Sequence, residues 1–311
     1  MNQRNPCRQG LIAPFRALVA VAFSLILGVA ILPGEASSAD LKEVRERGTL
    51  RHLGIRYANF VTAEGEGFDV ELVRGFASEL GVKYELVYSD FPSVIRDLLG
   101  KDVLRQGDRV TLQGQYPVRG DLISTGFTVL PWRQEVVLFS TPTFPSQVLL
   151  AAKASAPYSA VPQQKSLARE IDLTRKILGK SSLLVMEKTC LDPANYGLTG
   201  VGIDLRPYRA SLNLSDIVPA LLRGEAEFAL LDVPDAILDL QRWAGRVKLL
   251  GPVSEHQELA TAFPKDAPEL RRAFNDYLRK LRANKEYDSL VDKYYPGIRR
   301  YFPEFFAKKF D

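Results

Sequence analysis

The stretch GFTVLPWRQEVVLFS, residues 126–140, places a proline, a tryptophan and an arginine between two apolar runs. Each run has the apolar and β-branched content that is typical of a buried strand. Arg133 carries a permanent charge and is therefore not expected inside a packed sheet. The position of a guanidinium between two runs that each read as a buried strand therefore needs an explanation.

On both sides of this stretch, helix-like and strand-like segments alternate from Leu41 onward, which indicates an α/β fold. GFDVELVRGFASELG (residues 67–81) places apolar residues four apart on one helix face, and VKYELVY (residues 82–88) alternates like a strand. Residues 101–120 interrupt the pattern and predict a small hairpin inserted at the surface. The last predicted helices carry apolar stripes that must pack against another surface. The α/β lobe at the start of the chain is the natural candidate.

The first 39 residues have the order of a secretory signal peptide. Three arginines precede an apolar run at residues 17–32, and small residues at 36–39 offer a cleavage site before Asp40. An uncleaved membrane anchor is the alternative, because the run nearly reaches spanning length. We predict cleavage and a periplasmic protein, in which Cys190 is the one remaining cysteine and no internal disulfide forms.

The charge balance of the mature chain is nearly neutral. Removing residues 1–39 takes away three arginines and one glutamate, so the formal charge falls from +4 to +2. This balance argues against nucleic acid as a partner. No second apolar run approaches membrane-spanning length, so we expect a soluble mature protein.

Five separated segments resemble, in order, family 3 of the extracellular solute-binding proteins, the polar amino acid receptors of ABC importers. They are LKEVRERGTLR, GFDVELVRGFASELGVK, GDLISTGFTVLPWRQEVVLFSTPTF, LLRGEAEFALLD and AFPKDAPELRRAFNDYLRKLRANKEYDSLVDKYYP. The resemblance implies a periplasmic-binding-protein-like α/β fold, with two α/β lobes joined by a two-strand hinge that close over a ligand. It places lobe I at residues 40–150, lobe II at 151–255, and the return to lobe I with the C-terminal helices at 256–311.

The same resemblance implies capture of a small-molecule ligand, an amino acid or related carboxylate, and its delivery to an ABC permease in the inner membrane. We expect a monomer without a cofactor or metal ion. LKEVRERGTLR and the stretch DKYYPGIRRYF near the C-terminus also resemble the binding modules of membrane-bound lytic transglycosylases. A stand-alone periplasmic sensor or accessory binding protein is therefore the alternative.

Three positions in the quoted stretch, together with Asp232, carry the implied binding chemistry. Arg133 aligns with the family's carboxylate-binding arginine, whose planar fork meets both carboxylate oxygens. Gly126 and Thr128 align with neighbouring positions that offer backbone N–H and hydroxyl groups. Asp232 ends an apolar strand and aligns with the ammonium-binding aspartate, and its position also suits a helix N-cap. A surface arginine in a tight turn is the alternative for Arg133.

Further ligand contacts are implied in both lobes. Tyr57 and Phe60 align with the aromatic pair that encloses the ligand side chain, although such residues are more often core. Thr189 keeps the family's hydroxyl chemistry, whereas Lys188 stands where the family commonly has glycine. A lysine facing the cleft would favour an acidic ligand or one without an ammonium group; alternatively it points to solvent. Trp132 also departs from the family pattern, and we expect it to pack.

An enzyme is a further alternative, because some proteins of this fold act as dehydratases. Catalysis would need a His, Glu or Cys with a partner in the cleft. His52 and His256 are far apart in the sequence, and no Cys–His pair or metal-binding spacing stands out. We therefore predict binding without catalysis.

Overall fold

Two five-stranded sheets carry the fold in the computed structural model, which describes residues 39–106, 109–211 and 213–310. The predicted signal peptide lies outside these described residues, apart from Ala39. Both sheets mix parallel and antiparallel strands and carry helices, which confirms the predicted α/β class.

The elements follow each other in the alternating order that the sequence indicates. The strands are β1 (Thr49–Gly54), β2 (Lys83–Tyr88), β3 (Asp102–Gln106), β4 (Arg109–Gln113), β5 (Leu122–Ile123), β6 (Val137–Phe139), β7 (Phe144–Ser146), β8 (Val148–Lys153), β9 (Ser182–Val185), β10 (Asp204–Pro207), β11 (Phe228–Asp232), β12 (Val247–Pro252), β13 (Gln257–Leu259) and β14 (Ala262–Pro264). The helices are α1 (Leu41–Arg47), α2 (Phe68–Leu80), α3 (Val94–Leu99), α4 (Pro131–Gln134), α5 (Leu167–Leu178), α6 (Ile217–Arg223), α7 (Val233–Arg242), α8 (Pro268–Ala283), α9 (Glu286–Tyr294) and α10 (Pro303–Ala307). Within the described ranges, no helix is long and apolar enough to cross a membrane.

The first sheet has the strand order β2-β1-β5-β14-β6. β2 and β5 run parallel to β1, whereas β14 is antiparallel to both β5 and β6. Helices α1, α2, α3 and α8 contact the strands or each other to form the first lobe. Helix α2 buries Phe68, Leu72 and Phe76 of the predicted stripe and ends at Gly81, whose φ of 72° suits glycine.

The C-terminal part of the chain returns to the first lobe. β14 enters the first sheet and α8 packs on β6 and β14. Oδ1 of Asp40 accepts hydrogen bonds from the backbone N–H of Leu41 at 2.8 Å and of Leu270 at 2.7 Å. One carboxylate thus caps the N-termini of α1 and α8 and ties the two ends of the lobe together.

The second sheet has the strand order β10-β9-β11-β8-β12 and carries α5, α6 and α7. β9 is parallel to β10 and β11, and β8 is antiparallel to β11 and β12. Every residue of β11 is buried, as expected for a central strand covered on both faces. The sequence boundary between residues 150 and 151 falls inside β8, all of which belongs to the second sheet.

Two strands connect the sheets. β7 leads from β6 of the first sheet to β8 of the second, and β13 leads back from β12 to β14. They pair antiparallel, with Phe144 opposite Leu259 and Ser146 opposite Gln257. This pair is the two-strand connection that the sequence predicts.

The insertion is a hairpin, as predicted. β3 pairs antiparallel with β4, and α3 contacts β3. Nη1 of Arg105 donates a hydrogen bond of 2.7 Å to Oδ1 of Asn195, which follows β9 of the second sheet. The hairpin therefore reaches from the first lobe to the second.

Phe274 anchors α8 to the first lobe. Its fully buried ring lies 5.1 Å from the ring of Phe76 and 5.6 Å from that of Phe263, between centroids. We expect Phe274→Ala to lower the free energy of unfolding by about 3–5 kcal/mol, because it leaves a cavity. Urea titration followed by circular dichroism measures this loss. Leu240→Ala, at a partly exposed site on α7, is the control, and equal small losses for both variants would refute the anchor.

Candidate functional site

Arg133 is buried at the edge of the first lobe. It lies in the single helical turn α4, which Pro131 starts directly after the extended residue Leu130. Nη1 donates to the carbonyl oxygen of Thr128 at 2.9 Å, and Cζ lies 3.9 Å from the ring centroid of Phe127. Nε has no hydrogen-bond partner in the described part of the chain. Burial lowers the pKa of Arg133 to about 10, so the guanidinium stays charged at neutral pH.

Asp232 is buried at the facing edge of the second lobe. It ends β11 and caps α7, where Oδ1 accepts a hydrogen bond from the N–H of Asp235 at 3.2 Å. Oδ2 accepts a hydrogen bond from the hydroxyl of Tyr57 and lies 3.6 Å from Sγ of Cys190. Burial raises the pKa of this carboxyl group. One oxygen of Asp232 therefore caps α7, and the other contacts Tyr57 and Cys190.

Arg133 and Asp232 come from different lobes, and both shift the pKa values of the same buried neighbours, Cys190 and Tyr196. Burial raises the pKa of the Cys190 thiol, the nearby Asp232 raises it further, and Arg133 lowers it. The hydroxyl of Tyr196 donates to the carbonyl of Cys190; burial raises its pKa, Asp232 raises that pKa further and Arg133 lowers it. Among the described residues, no carboxylate forms a salt bridge with Arg133. The centre of the cleft thus holds two opposite charges that do not pair with each other.

Tyr57 and Phe60 take different places. Their rings stack with centroids 5.6 Å apart. Tyr57 reaches Asp232 through its hydroxyl, whereas the ring of Phe60 packs 5.3 Å from Phe144 and 5.1 Å from Tyr295. The structure brings Tyr57 to the buried charges and leaves Phe60 behind it, in the aromatic core around β7.

Gly126 and Thr128 shape the first-lobe side of the site. Gly126 has a φ of 60°, and a Cβ there would lie 2.5 Å from the ring of Phe60 and 2.8 Å from that of Tyr57. Its N–H donates to Oδ2 of Asp69, so this group is already satisfied within the lobe. The carbonyl of Thr128 orients Arg133, and Thr128 forms a bridge to β13.

Lys188 and Thr189 belong to the loop after β9. Lys188 has a φ of 62°, a left-handed conformation that costs a residue with a side chain about 1–2 kcal/mol and costs glycine nothing. Its N–H donates to Oδ2 of Asp192 at 2.9 Å. The buried hydroxyl of Thr189 donates to the carbonyl of Met186 at 2.7 Å and accepts from the N–H of Leu191 at 3.0 Å. The Thr189 hydroxyl therefore holds the loop.

A groove of about 840 Å³ lies between the lobes beside the buried charges. Trp132 and strand β3 line it from the first lobe, and Lys188 and Thr189 line it from the second. Lys188 is exposed and lies on the groove wall. The cleft therefore has two parts, a buried centre at Arg133 and Asp232 and an open groove bounded by the inserted hairpin.

Two residues of the centre were missed in the sequence. Asp235 is buried next to Asp232, its Oδ2 has no hydrogen-bond partner among the described residues, and burial followed by the charge of Asp232 raises its pKa. An acidic residue three positions after a helix N-cap is a signal that could have found it. Tyr196 had no such signal, because its contact with Cys190 depends on how the loop after β9 folds.

Neither histidine joins the site. Nε2 of His52 faces the carbonyl of Ser124, which can only accept, so Nδ1 accepts from the hydroxyl of Tyr84. Burial lowers the pKa of His52 to about 4. His256 packs against Phe302 near β13. In the described ranges, no group of three or more His, Cys, Asp or Glu side chains is arranged to hold a metal ion.

Asp69, which holds Gly126, makes stability depend on pH. Burial raises its pKa from 3.8 to about 7, so the folded chain keeps a proton that the unfolded chain releases. The contribution of Asp69 to stability is therefore full below pH 4 and falls as the pH rises to 7. We expect Asp69→Asn to become more stable relative to the unchanged protein from pH 4 to pH 7. Urea titrations across that range measure the difference, and a constant difference would refute the assignment.

The sequence profile of the bacterial extracellular solute-binding proteins, family 3, matches residues 117–297. This range is more than half of the chain. It contains six of the eight predicted site residues, namely Gly126, Thr128, Arg133, Lys188, Thr189 and Asp232. Tyr57 and Phe60 precede it.

Solved structures share the two-lobed fold. A mutant of ArgBP from T. maritima matches with 23% identity and a TM-score of 0.64, over 82% of this chain and 98% of its own. The ancestral amino acid-binding protein AncCDT-1, a precursor of cyclohexadienyl dehydratase, matches with 23% identity and a TM-score of 0.62, over 82% and 98%. The substrate binding protein of an amino acid ABC transporter matches with 21% identity and a TM-score of 0.60, over 80% and 99%. At these identities the likeness shows the fold.

Proposed function

This chain belongs to the bacterial extracellular solute-binding proteins, family 3, and from that premise we propose that it captures a small polar amino-acid-like solute without transforming it. The solute binds between the two lobes, which close over it by a hinge motion. The protein acts in the periplasm and delivers the solute to an ABC permease of the inner membrane. The proteins with similar folds that are named for amino acid binding support this solute class.

The carrying observation is the burial of Arg133 and Asp232 from opposite lobes without a direct pair. Each residue is 2% exposed. A buried charge without a countercharge is costly, and a carboxylate bound to Arg133 would supply one with charge-assisted hydrogen bonds. Because Nε of Arg133 has no partner in the described part of the chain, it can donate to that carboxylate.

The ammonium end of the solute is assigned to Asp232. Oδ2 of Asp232 receives the Tyr57 hydroxyl and lies near the Cys190 thiol, both of which are neutral donors. An ammonium group is a stronger donor to a carboxylate than either of them. The solute would therefore take over Oδ2 while Oδ1 continues to cap α7.

Burial of both charges supports the hinge motion. A solute can reach Arg133 and Asp232 only when the lobes separate. The lobes are connected through β7 and β13, and such short connecting segments act as hinges in two-lobed binding proteins. We expect the radius of gyration, measured by small-angle X-ray scattering, to decrease when the solute is added; an unchanged radius at saturation would oppose hinge closure.

Binding without catalysis is supported by the state of the reactive side chains. Burial raises the pKa of the Cys190 thiol, which disfavours the thiolate that a nucleophile needs. His52 is confined to the first lobe by Ser124 and Tyr84. A protein of similar fold is described as a precursor of a dehydratase, so the binding assays should include analysis for products.

The roles of the two charges can be separated with purified protein. Thermal-shift screening against amino acids and small dicarboxylates, followed by calorimetry, should find a stabilising solute. We expect Arg133→Met to weaken its binding roughly a hundredfold, because two charge-assisted hydrogen bonds are lost. Asp232→Asn keeps a good helix cap and should weaken binding of the amino acid but not of its deaminated analogue.

Arg246→Met is the matched control, because Arg246 also lies over an aromatic ring, Trp243, but does not line the groove. It should leave the affinity unchanged. The proposed function fails if no carboxylate-bearing solute binds, if Arg133→Met binds as tightly as the unchanged protein, or if a reaction product appears.

A further inference from the structure

Two cations lie on opposite walls of the groove. Arg105 belongs to β3 of the inserted hairpin, and Lys188 belongs to the loop after β9. Arg105 donates to Oδ1 of Asn195 at 2.7 Å, and Nδ2 of Asn195 donates to the carbonyl of Thr189 at 3.3 Å. Two hydrogen bonds therefore connect the Arg105 guanidinium to the residue that follows Lys188.

Trp132 joins this groove to the buried centre. Its ring centroid lies 5.3 Å from Cζ of Arg133 and 5.8 Å from Cζ of Arg105. Trp132 also lines the groove itself. A solute held at Arg133 thus has one side chain between it and the groove, and a chain of a few atoms can pass along the indole face.

The carboxylates of the groove are engaged in building its walls. Asp102 of β3 pairs with Arg96 at 3.6 Å. Asp192 accepts the backbone N–H groups of Lys188 at 2.9 Å and Ala194 at 3.0 Å. These acids hold the hairpin and the loop in place.

The backbone at Lys188 is a second, independent sign of function. Its left-handed φ of 62° is a conformation that glycine adopts without strain. Strained residues cluster at ligand-binding positions, where the side chain is retained for what it contacts. The Lys188 side chain is exposed on the groove wall.

We propose that the groove is a distal anion-binding subsite, in which Lys188 and Arg105 bind a second acidic group of the solute whose first carboxylate is held by Arg133. This inference rests on the proposed function and narrows the solute to α-amino dicarboxylic acids. The groove volume of about 840 Å³ lies within the range of drug-sized ligand pockets and accommodates side chains longer than that of glutamate.

The test compares acids with their ω-amides, which have nearly the same shape but lack the distal charge. The probes are L-aspartate, L-glutamate, L-2-aminoadipate and L-2-aminopimelate, each beside its ω-amide, measured by calorimetry. We expect at least one acid to bind about three- to tenfold more tightly than its amide, and this preference to shrink as salt is added. Lys188→Gly should reduce the preference to nearly one and leave the affinity for the amide unchanged.

Lys285→Gly is the matched control. Lys285 is also a lysine with a left-handed backbone, φ 67°, but it precedes α9 and does not line the groove. Both variants lose one positive charge and one strained residue, so both should fold at least as well as the unchanged protein. Only Lys188→Gly should lose the preference for the acid.

Three outcomes would overturn the subsite: equal affinity for acid and amide in the unchanged protein, retention of the preference in Lys188→Gly, or binding of another carboxylate solute while none of these acids binds. In each case the proposed function stands as long as Arg133→Met weakens binding of the solute that is found. If the preference for the acid is absent and Arg133→Met also fails to weaken binding, the proposed function is rejected as well.

Discussion

The paired strands β7 and β13 are the constraint on which the rest of the cleft depends, because the segments that carry the two buried charges are attached to β13 and to the start of β8, just after β7. The turn that carries Arg133 is fastened to β13, since Thr128 bridges Leu259 and the N–H of Val129 donates to the carbonyl of Glu258 at 2.9 Å. Asp232 pairs in register with Val148, two residues after the end of β7. A change in the geometry of the two strands would therefore move both charges, as the proposed hinge closure requires.

The same strands are surrounded by aromatic packing that keeps them in place. Phe144 of β7 contacts Phe60, Phe68 and Tyr295, with ring centroids 4.7–5.7 Å apart. Burying Arg133 and Asp232 costs desolvation free energy. The apolar area buried around Phe144 offsets part of this cost, which a core made only of apolar residues would not have. At Arg133 and Asp232 the chain thus gives up stability that apolar residues could have provided, as the proposed binding role would require.

The fold could be predicted from local sequence patterns, whereas the details of the site depend on contacts between residues far apart in the sequence. The four-residue spacing in α2 and the apolar run of β11 are encoded in neighbouring residues, so the α/β class and the strand that ends at Asp232 could be predicted. Arg133 could be singled out because a charge interrupts two apolar runs. That Tyr57 contacts Asp232, 175 positions later, has no local signal.

The sequence also does not show which partner each polar backbone group of the site will bind. Gly126 and Thr128 are predicted to offer backbone N–H and hydroxyl groups to a ligand; in the structure Oδ2 of Asp69 accepts the N–H of Gly126, and the carbonyl of Thr128 accepts from Arg133. Both contacts orient the site from behind. Whether a backbone group faces a ligand or a neighbouring side chain is decided by packing, which no spacing in the sequence records.

Residues with a strained backbone lie near the cleft in both lobes. Within the described residues, the side-chain-bearing positions with positive φ are Ala58, Lys188 and Lys285. Ala58 directly follows Tyr57, and Lys188 lies two residues before Cys190 in the loop after β9, so two of the three lie close in sequence to residues of the buried centre. Glycine would relieve the backbone strain at Ala58 or at Lys188. The lysine side chain at position 188, however, adds a charge to the groove wall that glycine cannot supply. The backbone at Lys188 thus has a conformation that suits glycine, while its side chain places a cation on the groove wall.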